Sequence, residues 1–165
     1  MSRTHDYRLH LAWTGAAHGP TTSYQAYSRE YRIDVDGKPA LRGTADPMFR
    51  GDAALHNPED LLVAALSSCH LLSYLALAAR AGVHVVDYED DASGTMAFEG
   101  GGGHFTEVVL RPRVTIAPGA DAALAEALHR EAHATCFIAS SVNFPVRHEP
   151  VVVVAGAPDG VSAAR

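Results

Sequence analysis

A chain of 165 residues and 17.5 kDa fits one ordinary domain. Hydrophobic residues make up 47% and charged residues 19%, which excludes wholesale disorder. Thirteen basic against nineteen acidic side chains leave a formal charge of −6, the wrong sign for binding nucleic acid or an anionic membrane.

Tyr7, Leu9, Leu11 and Trp13 alternate with Arg8, His10 and Ala12, the period of a half-buried strand. After a turn over residues 14–20, Tyr24 to Val35 reads as a second strand. Asp36-Gly37 is a hairpin turn, since both residues tolerate positive φ. A short return strand is expected near Pro39 to Ala45. The clearest helix follows. Asn57 is its N-cap, Pro58 takes the first helical position, and Glu59 and Asp60 complement the positive end of the dipole. The body runs to Arg80, with Gly82 as the stop. It is apolar on nearly every face, which predicts burial all round. Ser67, Ser68, His70 and Ser73 interrupt it, so it reads as a buried helix and not a membrane span. A second copy of the chain is one way to finish covering it.

Val83 to Phe98 and His104 to Ile116 are predicted as two strands joined by Glu99 and the glycine run 100–103. Pro118-Gly119 breaks the chain, and Asp121 caps a second helix through about Ala134. Residues 135–145 form a loop, and Val146 to Ala155 a closing strand. The expected architecture is one α+β domain over residues 1–155, with two helices against a mainly antiparallel sheet. Residues 156–165 are expected to be a flexible tail. Met1 to Asp6 lack the apolar core of a signal peptide, which predicts a cytoplasmic location.

Chemistry starts from two cysteines 67 positions apart, too few for a disulfide-stapled scaffold and too distant for a CxxC or zinc-ribbon motif. A buried cysteine usually acts as a small hydrophobe. A reactive Cys69 in mid-helix needs a nearby cation to lower its pKa, and the candidates are Arg50, upstream of the helix, or His70 beside it. Cys136, in the loop after the second helix, has the mobility that a resolving thiol requires.

The opening Asn57-Pro58-Glu59 of a buried helix, Ser67-Ser68-Cys69-His70 with cysteine ten residues after the glutamate, and Ala132-His133-Ala134-Thr135-Cys136 together resemble the OsmC/Ohr family of thiol-dependent organic hydroperoxide peroxidases. The likeness runs from Trp13 to the closing valine strand. It implies a peroxidatic role for Cys69, a resolving role for Cys136 and an acid–base or orienting role for Glu59. It also implies an arginine that holds the thiolate. Met48 stands at the usual arginine position, so Arg50 is the first choice and Arg29 the second. The resemblance further implies a homodimer in oxidative or osmotic stress defence, with no cofactor or metal of its own. Its reductant would be an external dithiol or a lipoylated protein. Leu72, Phe137, Ile138 and Phe144 are the apolar residues expected to favour organic hydroperoxides.

Helix geometry adds a constraint. Ten residues of rise separate Glu59 from Cys69 by about 15 Å and turn them about 80° apart, so one helix cannot bring both to a common atom. If Glu59 serves Cys69, it comes from a second copy whose helix packs antiparallel, which again predicts an intertwined homodimer.

Three other readings compete. His129, His133 and Cys136 have a spacing able to hold zinc, although His129 is also read as facing solvent. A Cys-His hydrolase would use Cys69 with His133 or His70 as base. A non-catalytic ligand-binding dimer of the same fold would explain Met48. Asp87, Glu89, Asp90 and Asp91 read as a solvated strand edge, Tyr24, Tyr27 and Tyr31 as strand packing, and Ser140, Ser141 and Asn143 either as caps or braces of the Cys136 loop or as substrate contacts.

Overall fold

A computed structural model describes residues 4–156. All but the first residue of the expected tail over 156–165 lies outside the described residues. The chain groups into two compact units that divide between Leu62 and Val63.

In the first unit, β1 (His10–Trp13), β2 (Tyr31–Asp34) and β3 (Leu41–Gly43) form an antiparallel sheet in that order. These strands are shorter than the apolar alternation predicts. Asp36-Gly37 does close the β2–β3 hairpin, with Lys38 N–H donating to Val35 O at 3.0 Å and Gly37 at φ 72°. A 3-10 turn at Pro47–Phe49 follows, capped by the Asp46 carboxylate, which accepts from Met48 N–H at 2.7 Å.

Helix α1 spans Pro58–Arg80, as its end signals predict. Asn57 Oδ1 accepts from Asp60 N–H at 2.7 Å, and Asp60 Oδ2 accepts from Asn57 N–H at 3.3 Å, a reciprocal cap. At the other end Gly82 takes φ 72°, and Val83 N–H reaches back to Ala78 O at 2.9 Å. One chain by itself buries only part of the helix. Leu66, His70, Tyr74 and Ala78, one residue per turn, are the buried positions of α1, a single stripe set by what one packed layer can cover. Much of its apolar surface stays open in the single chain. By length and composition alone α1 is apolar enough to cross a membrane.

The second unit holds two mixed three-stranded sheets. β4 (Val85–Asp90), β7 (Pro112–Ile116) and β9 (Val151–Val154) make one, in the order β4-β7-β9. The other contains β5 (Ser93–Glu99), β6 (Gly102–Leu110) and β8 (Val146–His148), in the order β5-β6-β8. β4 and β5 pair antiparallel with β7 and β6, whereas β8 and β9 add in parallel to β6 and β7. Each of the three long strands predicted from sequence is therefore two, because the chain changes sheets within each of them. Asp90 organises the change: its carboxylate accepts from Arg111 N–H at 2.7 Å and from Ser67 Oγ at 2.5 Å, so this acid is more than a solvated edge. Pro112 has no N–H to continue the ladder. Glu149 N–H, just before Pro150, donates to Leu110 O at 2.9 Å. At the β5–β6 tip, Gly100 and Gly101 take φ 59° and 85°, which two glycines adopt without steric cost.

Helix α2 (Ala122–Thr135) starts at Asp121, whose carboxylate accepts from Leu124 N–H at 3.0 Å. Its buried Ala125, Leu128 and Ala132 join Tyr74, Ala78, Val83, Val114 and Ile116 in one core cluster. Leu66, Val108 and Leu110 anchor a second.

Candidate active site

Cys69 is half-buried on α1, and Cys136 is the buried C-cap of α2; both are free thiols. The backbone turns to extended geometry at Cys136, and a 3-10 turn over Ala139–Ser141 follows. Cys136 N–H donates to His133 O at 3.3 Å, and Cys136 O accepts from Ser140 Oγ at 3.0 Å, so Ser140 does brace this loop. Burial pushes the Cys136 thiol up, and the neighbouring Cys69 thiol pushes it further. Ala139 N–H, 3.5 Å from Cys136 Sγ, acts in the opposite direction. The fold thus brings the two thiols into one electrostatic neighbourhood, where each is felt by the other.

Among the apolar residues named from sequence, Ile138 and Phe144 pack partly buried against the Leu66 cluster, and Phe144 lies 5.4 Å from the Phe105 ring. Leu72 and Phe137 are surface residues, 66% and 81% exposed. In sequence they stand three residues after Cys69 and one after Cys136.

The first unit holds a cleft of about 450 Å³ walled by Leu11, Trp13, Tyr27 and Tyr31, with Arg29, Thr44 and Pro58 also lining it. Trp13 is fixed by its indole N–H, which donates to Ser28 O at 2.7 Å. The Arg29 guanidinium donates to the Tyr24 and Tyr27 carbonyls and lies 3.8 Å from the Tyr27 ring centroid. Its Nε is buried with no protein hydrogen-bond partner. Arg50 is exposed, in the left-handed position that ends the Pro47–Phe49 turn, and Met48 is exposed within that turn. Glu59 is half-buried, and its Oε2 also lacks a protein partner. Burial and then the Glu59 charge raise the Tyr31 phenol, which places carboxylate and phenol in one electrostatic neighbourhood.

Sequence reasoning missed a histidine cluster in the second unit. His129, read as solvent-facing, is fully buried. Its Nδ1 lies 3.1 Å from Nε2 of the equally buried His70. Tyr74 stacks on His129 at 4.0 Å; His148 lies 5.6 Å from His70 and 5.1 Å from His133. Burial, then His148 and His133, pushes His70 down to about 4. Burial, then His70 and His148, pushes His129 down to about 3. The one signal in sequence was the place of His70 on the one-per-turn stripe of α1. Among the described residues, no group of three or more His, Cys, Asp or Glu side chains is arranged to hold a metal ion.

A family model for OsmC-like protein matches residues 51–150. The uncharacterized protein YmaD of Bacillus subtilis (strain 168) is 26% identical over 89 residues, 52% of this chain and 59% of that protein. The chain therefore spans less than two thirds of that curated relative. An OsmC-like protein of unknown function from Vibrio cholerae O1 biovar eltor matches at 32% identity and TM-score 0.81, over 90% of this chain and 100% of that one. The organic hydroperoxide resistance protein OhrB of Bacillus subtilis shares the fold at 20% identity and TM-score 0.60, over 88% of this chain and 98% of that one.

Proposed function

The chain belongs to the OsmC-like protein family, and from that footing we propose that it is a cysteine-based peroxidase that reduces organic hydroperoxides. The observation that carries the reading is the nearness of Cys136 to Cys69, two thiols 67 residues apart in sequence that lie close enough for Cys69 to raise the Cys136 thiol. A protein named for organic hydroperoxide resistance has the same fold, which supports the substrate class.

The Cys69 thiolate attacks the distal oxygen of the hydroperoxide. The O–O bond breaks, the leaving alkoxide takes a proton to become the alcohol, and Cys69 is oxidised to a sulfenic acid. Cys136 then attacks that sulfur; the S–O bond breaks, water leaves with the Cys136 proton, and a Cys69–Cys136 disulfide forms. An external dithiol, small or lipoyl-borne, reduces it by thiol–disulfide exchange. The raised Cys136 thiol suits the later step, because it stays protonated while Cys69 meets the oxidant.

The working unit in this reading is a cytoplasmic homodimer acting in oxidative or osmotic stress defence. Each Cys69 meets Glu59 from the second copy, and the open apolar surface of α1 becomes part of the interface. The thiolate's arginine in this reading is Arg29, which is held between carbonyls and a tyrosine ring and keeps a buried Nε without a protein partner, whereas Arg50 is exposed. Leu72 and Phe137 would supply the apolar approach for the organic group.

The test is hydroperoxide consumption with dithiothreitol or dihydrolipoamide. Wild type turns over, Cys69→Ser does not, and Cys136→Ser accumulates a sulfenic acid that a dimedone probe labels. Absence of turnover in the wild type returns the chain to the ligand-binding reading.

A further inference from the structure

The two helices that carry the thiols are tied to each other by a buried polar contact one residue from Cys69. His70 follows Cys69 on α1, and His129 sits two turns before Cys136 on α2. Their ring planes are 11° apart and the facing nitrogens 3.1 Å apart, the geometry of an in-plane imidazole–imidazole hydrogen bond. We propose that this hydrogen bond is a positioning clamp that sets the approach of the Cys69 and Cys136 sulfurs. The proposal rests on the two thiols working as a pair, as above.

Adhesion does not explain the contact. In either tautomer one ring N–H and one bare ring nitrogen are left over, and His70 Nδ1 and His129 Nε2 are both buried with no protein partner. Two leucines would hold the helices without burying unpaired nitrogens. A hydrogen bond fixes distance and angle, whereas apolar side chains let one helix slide on the other. The neighbours add to this. Tyr74 stacks on His129 and donates from its hydroxyl to Ala125 O at 3.2 Å, which fixes the ring to its own helix. His148 on β8 flanks His70 from a third element. A thiol pair needs such control, since a disulfide accepts a narrow range of Cβ separations and small misplacements cost reactivity steeply.

The test is the equilibrium of the full chain with glutathione, in which one glutathione disulfide oxidises the dithiol and yields two glutathiones. His70→Leu and His129→Leu should shift the constant toward the dithiol by about tenfold, or about 30 mV. His129→Asn and His70→Gln, which return a nitrogen near the lost one, should stay within about threefold of wild type. Folded leucine variants at the wild-type constant overturn the clamp, as do conservative variants impaired as badly as the leucine ones. If the leucine variants do not fold, wild-type imidazole ¹⁵N resonances decide: those of His70 and His129 should move between dithiol and disulfide forms, by the reciprocity of linked equilibria, and unmoved resonances overturn the proposal. A wild type that forms a disulfide with glutathione but consumes no hydroperoxide sinks the peroxidase reading and leaves the clamp standing. One that forms no disulfide at all sinks both.

Discussion

The Tyr31 ring lies across Gly43, its register partner on the neighbouring strand. A Cβ built on Gly43 would stand 2.4 Å from Tyr31 Cζ. The missing side chain is what lets the phenol reach over β3 into the cleft it shares with Arg29. Gly43→Ala should therefore displace the ring or spread the strands, at a cost of about 1–3 kcal/mol typical of overpacking. Urea unfolding measures it. An alanine at this position with wild-type stability would show that Tyr31 has freedom to move aside.

Acid should destabilise the protein through its histidine cluster. His70 and His129 bind their protons in the folded chain only at about 4 and about 3, whereas an unfolded histidine takes one near 6.5. His148 is lowered as well, by burial, then His133 and Arg130. The unfolded state thus holds more protons below pH 6.5, and stability must fall as pH falls from there towards 3. Above 6.5 these groups contribute no slope. Each imidazole adds up to about 1.4 kcal/mol per pH unit inside the window. Urea midpoints from pH 7.5 to 4 should drop in wild type and drop less steeply in a folded His70→Gln chain; equal slopes would remove the cluster as the cause.

Local devices were legible and distant ones were not. The ends of α1 and α2 are set by Asn57, Asp60, Gly82 and Asp121, each acting within a few residues, and sequence located them well. The strand breaks depend on the Asp90 carboxylate finding an N–H 21 residues away, so Val83 to Phe98 read as one strand. His70 stood on a readable stripe, yet its partner lies 59 residues on, where the moderate amphipathicity of α2 pointed His129 outward. The thiol pair was readable only through its family resemblance.

The two arginines should separate cleanly by activity. Arg29→Ala is expected to lower kcat/KM for an organic hydroperoxide by about 100-fold, the scale of a lost charge-stabilising donor. Arg29→Lys should rescue little, since lysine cannot reproduce a fork held by two carbonyls and stacked on Tyr27. Arg50→Ala, a change on an exposed turn, should stay near wild type. The opposite ranking would make Arg50 the thiolate's partner.

Subunit mixing tests whether Glu59 acts across the dimer. Cys69→Ser and Glu59→Gln homodimers should each be nearly inactive. Refolded together at equal amounts, half of the dimers are mixed by statistics. If each site joins Cys69 of one copy to Glu59 of the other, a mixed dimer has one site with both lesions and one with neither. The mixture should then recover about a quarter of wild-type activity, one intact site in every four. If Glu59 instead serves its own chain, every site keeps one lesion and nothing is recovered. The continuous α1 favours the first outcome, because a ten-residue step along one helix holds the carboxylate about 15 Å from the sulfur it would assist.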